Sequence, residues 1–175
     1  MNPQKVNSKI VHDGWLQLRV DSLQYAGSDT LYQYDVVHVG DGVAILPFLD
    51  DNTLLLAKSY RYPIGETLLE CIQGGMKKGE SIIESAAREL LEETGYAGTL
   101  TYTNTMYPLP GSLDMRLHLL KATDLQKIQE PKLDEFEHVE IIVRPYLDVL
   151  EEIKLGRHMD SALVWGVLYH ELTKH

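Results

Sequence analysis

Cysteine is nearly missing from this chain. Cys71 is the only one in 175 residues, so no internal disulfide can form, and a reducing, cytoplasmic setting is expected. Long apolar runs are missing too. No stretch approaches the roughly 18 to 20 consecutive apolar residues of a membrane span, so no membrane insertion is expected. The polar start, Met1 to Lys9, lacks an apolar h-region, and no secretory leader is expected there. Positive charge is in deficit: 16 Lys plus Arg against 26 Asp plus Glu give a net charge of −10. So acidic a chain has no sequence-independent grip on a nucleic-acid backbone, and no nucleic-acid partner is expected. An anionic substrate would need a neutralising cation, most simply a metal ion. Internal repeats and low-complexity tracts are absent as well.

What is present suits one folded domain with a small appendage. Apolar residues make up 44% of the chain, enough for a core at this length. "WLQLRVDSL" and "LYQYDVVHV" alternate apolar and polar positions and predict strands joined by a turn at Ala26 to Asp29. "GVAILPFL" is continuous and predicts a buried strand. "TLLLAKSYRY", "TLLECI", "TLTYTNTMYPL", "MRLHLLKATDL" and "VEIIV" predict further strands. Helices are predicted over Ser81 to Thr94, Tyr146 to Lys154 and Ser161 to Thr173. Strands and helices without regular alternation argue for an α+β class, a mixed sheet flanked by helices. Residues 1–40, too few to bury a core alone, are expected to form a separate β segment beside a main domain at 41–175.

The segment "SIIESAARELLEETG" carries the chemistry. Ser81 with Glu84 three residues on makes a capping box, and Gly95 suits a left-handed stop. At about 100° per residue, Ile83, Ala86, Ala87, Leu90 and Leu91 share one arc, expected to face the core. Glu89, Glu92 and Glu93 share the opposite arc. Like charges at this spacing repel by about 0.2–0.5 kcal/mol per pair, and the helix C-terminus disfavours anions further. A hard divalent ion reverses both effects, which points to Mg2+, with Mn2+ as a second choice. Gly74 and Gly75 precede the helix in a tight loop that lets backbone approach a ligand, and Arg88 stands ready to orient the carboxylates. The histidines form no HExxH or comparable zinc pattern. Cys71 reads as a small buried residue rather than a nucleophile.

From Gly74 the chain runs through five residues to Glu80, seven more to Arg88, and on through Glu89-Leu90-Leu91-Glu92-Glu93-Thr94-Gly95-Tyr96. This resembles the complete signature of the Nudix hydrolases. Outside it, "GVAILPFLDDNTLLLAKSYRYPIGETLLECIQGG", "YPLPGSLDMRLHLL" and "DEFEHVEIIV" resemble the branch acting on ADP-ribose and nucleoside diphosphate sugars. The branch's Pro-Ala-Gly entry is here Ile72-Gln73-Gly74. The resemblance implies an α/β/α sandwich around a mixed sheet and a metal-dependent hydrolase of a pyrophosphate bond. It implies metal ligation by Glu89, Glu93, Glu92 and the Gln73 carbonyl, with Arg88, Glu80 and Gly95 in structural roles. It implies substrate contacts from Arg61 and Gly74, and a general base at Glu137, with Glu135 second and Glu92 a further candidate. Trp15 is either a base-stacking residue or a core or interface tryptophan. A homodimer is implied, with residues 1–40 serving dimerisation and base binding. Another nucleoside diphosphate derivative as substrate, or a non-catalytic nucleotide sensor, stands as the alternative.

Overall fold

The computed structural model describes residues 2–133, 139–157 and 160–174. The chain divides into two compact units, Met1–Asp41 with Tyr107–Arg116, and Gly42–Met106 with Leu117–His175. A single boundary at residue 40 is expected from the sequence. The first unit takes in Tyr107–Arg116 as well.

The first unit is a three-stranded antiparallel sheet in the order β1 (Gln4–Asp13), β2 (Gln17–Gln24), β3 (Leu31–His38). β1 is exposed along its whole length, so it lacks the buried alternation that announces a strand. Its buried polar centre is Asp21, which accepts from Ser8 Oγ at 2.5 Å and Arg19 Nε at 3.2 Å. These bonds, led by the one from Ser8, hold its carboxyl below the usual range because they favour the charged form. The 107–116 segment is bound in by Val37 N–H to Ser112 O at 2.7 Å and by Arg19 and His38, both on Asp114.

The second unit is a seven-stranded mixed sheet. Its strands are β4 (Gly42–Asp50), β5 (Thr53–Arg61), β6 (Glu66–Glu70), β7 (Ile72–Gly75), β8 (Tyr96–Met106), β9 (Leu117–Lys127) and β10 (Val139–Pro145). The main path runs β10-β5-β4-β9-β8, with β6 beside β5 and β7 beside β4. Among the described strands of this sheet, β4 and β9 pair in parallel and the other pairs are antiparallel. The run Val43 to Phe48 is buried throughout, as an unbroken apolar stretch covered on both faces must be. The helices are α1 (Ile82–Thr94), α2 (Tyr146–Lys154) and α3 (Ser161–Thr173). Leu120 and Ala122 belong to the core under α1, while their neighbour Leu119 meets α3 at Gly166. Alternate strand residues face opposite ways, so α1 and α3 cover opposite faces of the sheet. This is an α+β fold of the layered kind that the resemblance implied. Among the described residues no helix is long and apolar enough to cross a membrane.

α1 has the ends its sequence predicts. Ser81 Oγ accepts from Glu84 N–H at 3.2 Å, Glu84 Oε2 accepts from Ser81 N–H at 2.8 Å, and Gly95 closes the helix at φ 75°. Its docked face differs from the predicted one. Ser85, Ala86, Leu90 and Thr94 are buried and Ile82 packs on the core, while Ile83 and Ala87 are exposed. The helix is turned so that the small Ser85 and Ala86 meet the sheet. At about 100° per residue, Glu89 and Glu93 then fall within the packed stripe, and Glu92 lies outside it.

Candidate active site

β7 approaches α1 closely, and Gly74 makes that possible. A Cβ at position 74 would overlap the Glu89 carboxyl group, so glycine leaves the space in which this carboxylate sits against the strand backbone. The Glu89 side chain is 12% exposed and that of Glu92 is 42% exposed. The acids therefore occupy two environments, which a shared solvent-facing arc would not have produced.

Arg88 ties the loop and the helix together. Its Nε and Nη2 donate to the two oxygens of Glu80 at 2.7 and 2.9 Å, a bidentate fork. Nη1 donates to Glu89 Oε1 at 2.6 Å and Glu92 Oε2 at 3.1 Å, and Nη2 also reaches Gly75 O at 2.9 Å. Planar guanidinium geometry makes such shared forks specific. The Arg88 pairing, with the Lys77 N–H bond, lowers the Glu80 carboxyl to about 2. Arg88 is raised in turn, first by Glu80 and then by Glu89. Glu80, Arg88, Glu89, Glu92 and Gly74 are thus brought together, with Gln73 next in the strand. Gly95 ends the helix and accepts from Ile128 N–H at 2.8 Å.

Arg61, at the end of β5, meets Glu70 of β6. Nε donates to Glu70 Oε1 at 2.7 Å and Nη2 donates to Oε2. The Glu70 side chain is only 3% exposed; a carboxylate so buried requires a partner of this kind. Glu70 raises the Arg61 pKa most, and the fields of Asp160 and Glu93 add to it. Asp160 caps α3, accepting from Leu163 N–H at 2.6 Å, and accepts from Gln73 Nε2 at 3.3 and 3.4 Å. Burial pushes its carboxyl up. Cys71 is buried and its thiol is pushed well up by desolvation, with Asp160, Glu70 and Glu93 adding to this.

Glu70 and Asp160 were missed in the sequence. An acid inside the apolar run "TLLECI" marks the first, and an Asp one residue before a predicted helix marks the second. Trp15 projects from the first unit, 90% exposed, so within this chain it is not a core residue. Glu135 and Glu137 lie outside the described residues. The described chain flanking them is anchored on both sides: Lys132 N–H donates to Glu92 O at 2.7 Å, and Val139 pairs with Ser59.

Among the described residues no three carboxylate, imidazole or thiol groups converge into a ready ion cage, and Arg88 engages both Glu89 and Glu92. The donor set nonetheless fits a hard divalent cation. It is made of oxygen only, and the Gly74 space lets a carboxylate and the strand backbone approach one point.

The mixed-sheet fold with an acid-bearing helix set on a close-approach glycine suits a hydrolase acting on pyrophosphate bonds, the class to which its family and relatives assign it. The NUDIX domain model matches residues 38–163. The chain is 31% identical over 161 residues to an ADP-ribose pyrophosphatase of Bacillus subtilis, covering 91% of this chain and 86% of that one. It is 25% identical over 184 residues to a GDP-mannose pyrophosphatase of Yersinia enterocolitica, covering 97% and 95%. A crystal structure of an ADP compounds hydrolase shares the fold, with a TM-score of 0.85 at 20% identity, over 98% of this chain and 94% of that one. The chain belongs to the Nudix family.

Proposed function

We propose that the protein hydrolyses the pyrophosphate link of a nucleoside diphosphate sugar, with ADP-ribose yielding AMP and ribose 5-phosphate. The observation that carries this is the Glu89 carboxylate, seated over Gly74 and oriented by Arg88, with Glu93 on the same helix stripe. Relatives named for ADP-ribose and GDP-mannose support the substrate class. Glu89, Glu93, Glu92 and the Gln73 carbonyl would hold Mg2+, or Mn2+ in its place. Bound there, the cation supplies charge neutralisation at the diphosphate and acidifies a water.

The chain's own residues do the rest. Arg88 keeps Glu89 and Glu92 oriented, and the Arg61 guanidinium, steadied by Glu70, meets substrate phosphate. Glu137, with Glu135 as second choice, takes the proton as water attacks one phosphorus in line. A P–O bond forms to that water as the bridging P–O bond breaks, without a covalent enzyme intermediate. The anchoring of Lys132 on the Glu92 carbonyl supports this placement of the base, since it starts the run toward 137 at the acid-bearing helix. The reading includes a homodimer in which residues 1–40 serve dimerisation and Trp15 stacks on the base, working in a reducing cytoplasm.

Glu93→Gln and Glu89→Gln test it. Each is expected to lower kcat more than about tenfold, a barrier rise above about 1.4 kcal/mol, with an unchanged melting curve. Retention of more than a tenth of wild-type kcat overturns the assignment. The panel of ADP-ribose, GDP-mannose, ADP-glucose and diadenosine polyphosphates, with product identification, selects the substrate.

A further inference from the structure

We propose that a second ligand pocket, on the face of the sheet away from α1, takes a small phosphate-class anion between α3 and β9, with Lys121 as its principal cation. The starting point is where Lys121 stands. β9 lies inside the sheet, between β4 and β8. Its residues Leu120 and Ala122 enter the α1 core, so Leu119, Lys121 and Thr123 face α3. Leu119 is buried, and Lys121, two residues on, is half-buried on what is otherwise a packing face. Its ammonium lies 4.6 Å from the centre of the Phe48 ring, and among the described residues no carboxylate pairs with it. Lysine is seldom placed so without an anionic partner.

Lys121 looks into a cavity of about 390 Å³, which His170, Lys174, Thr103 and Thr173 also line over an apolar floor. An adjoining cavity of about 530 Å³ shares Lys121, His170 and Lys174. Both volumes are in the range of small-molecule sites. The Thr103 and Thr173 hydroxyls each donate to a backbone carbonyl at 2.8 Å. Tyr169 also lines the cavity, and Lys174 is paired with Glu171, so Lys121 is the cation left for a ligand, and an ammonium favours an anion.

The surrounding charges confine it. Asp50, Asp51 and Asp124 line the wider cavity. Glu171 pairs with Lys174 and accepts from Tyr146 Oη at 2.7 Å. These acids disfavour an anion on their side and leave the pocket between Lys121 and Thr103 as the favourable place. His170, 4.8 Å from Phe48 and 5.3 Å from Tyr146 between ring centres, senses the result. Burial lowers its pKa most, Lys121 and Lys174 lower it further, and Glu171 opposes them.

The test uses the full chain and NMR of the His170 ring, assigned with His170→Gln. Inorganic phosphate and ribose 5-phosphate are titrated separately at ionic strength held constant with NaCl. Either anion is expected to raise the His170 pKa by about half a unit or more, and Glu93→Gln is expected to leave that response intact. Lys121→Met is expected to weaken the response about tenfold or more while hydrolysis changes less than twofold, and Lys121→Arg to retain it. Tighter binding of ribose 5-phosphate assigns a phosphate monoester, and equal or weaker binding assigns free phosphate. No shift at His170, or an equal response in Lys121→Met, overturns the proposal.

Discussion

At position 74 an alanine methyl would overlap the end of the Glu89 side chain, not backbone. The fold can yield there by turning one flexible carboxylate, whereas the chemistry depends on where that carboxylate stands. Gly74→Ala is therefore expected to melt within a few degrees of wild type while kcat falls about tenfold or more; a combined melting and steady-state comparison reads both. Glu80 gives a pH signature. Its folded carboxyl lies at about 2 against an ordinary 4.5, chiefly through Arg88. A depressed acid stabilises above its unfolded value, and that contribution fades as pH falls from about 4.5 toward 2. The stability gap between wild type and Glu80→Gln in urea titrations is expected to narrow across that window. A gap constant from pH 6 to 2 contradicts the Arg88 pairing. These residues were legible because their spacing carries them, but the division of the acids was not. Glu89 and Glu93 belong to the docked stripe because Ser85 and Ala86 are small enough to meet the sheet, and no apolar count ranks serine as a packing residue. Glu70 and Asp160 escaped because charged side chains read as solvated until a partner is found far along the chain.

Among the elements, α1 was the most readable, since its two ends are written in local side chains. Ser81 and Glu84 bond reciprocally, and Gly95 takes a φ of 75°. A Cβ at Gly95 would overlap the Gln129 carbonyl, and the chain at Ile128 and Gln129 bonds back to Gly95 O. Gly95→Ala is thus expected to cost about 2 kcal/mol or more, from left-handed strain plus a displaced backbone; urea unfolding measures it. α2 and α3 follow the predicted ranges. β1 was unreadable for a plain reason: all ten of its residues are exposed, so no buried side leaves an imprint on its composition. β4 was readable for the opposite reason, being covered on both sides.

For the molecule as a whole, the first unit leaves Val6, Ile10, Val11, Trp15, Leu31 and Tyr32 exposed. The proposed homodimer would give such exposed apolar groups a surface to cover. Light scattering at micromolar concentration is expected to give twice the mass of 19.9 kDa, and Trp15→Ala to raise KM more than it lowers kcat. A fully active monomer removes the dimer from the reading. The 107–116 segment has a further bearing. It leaves the second unit, is bonded to β3 and returns, so the first unit joins the rest through three peptide crossings rather than one. A protease nicking the backbone near residue 41 would free no fragment, because Ser112 and Asp114 would still clasp the severed piece. Nor can the leading forty residues be traded between relatives as a cassette unless that distant return loop travels with them.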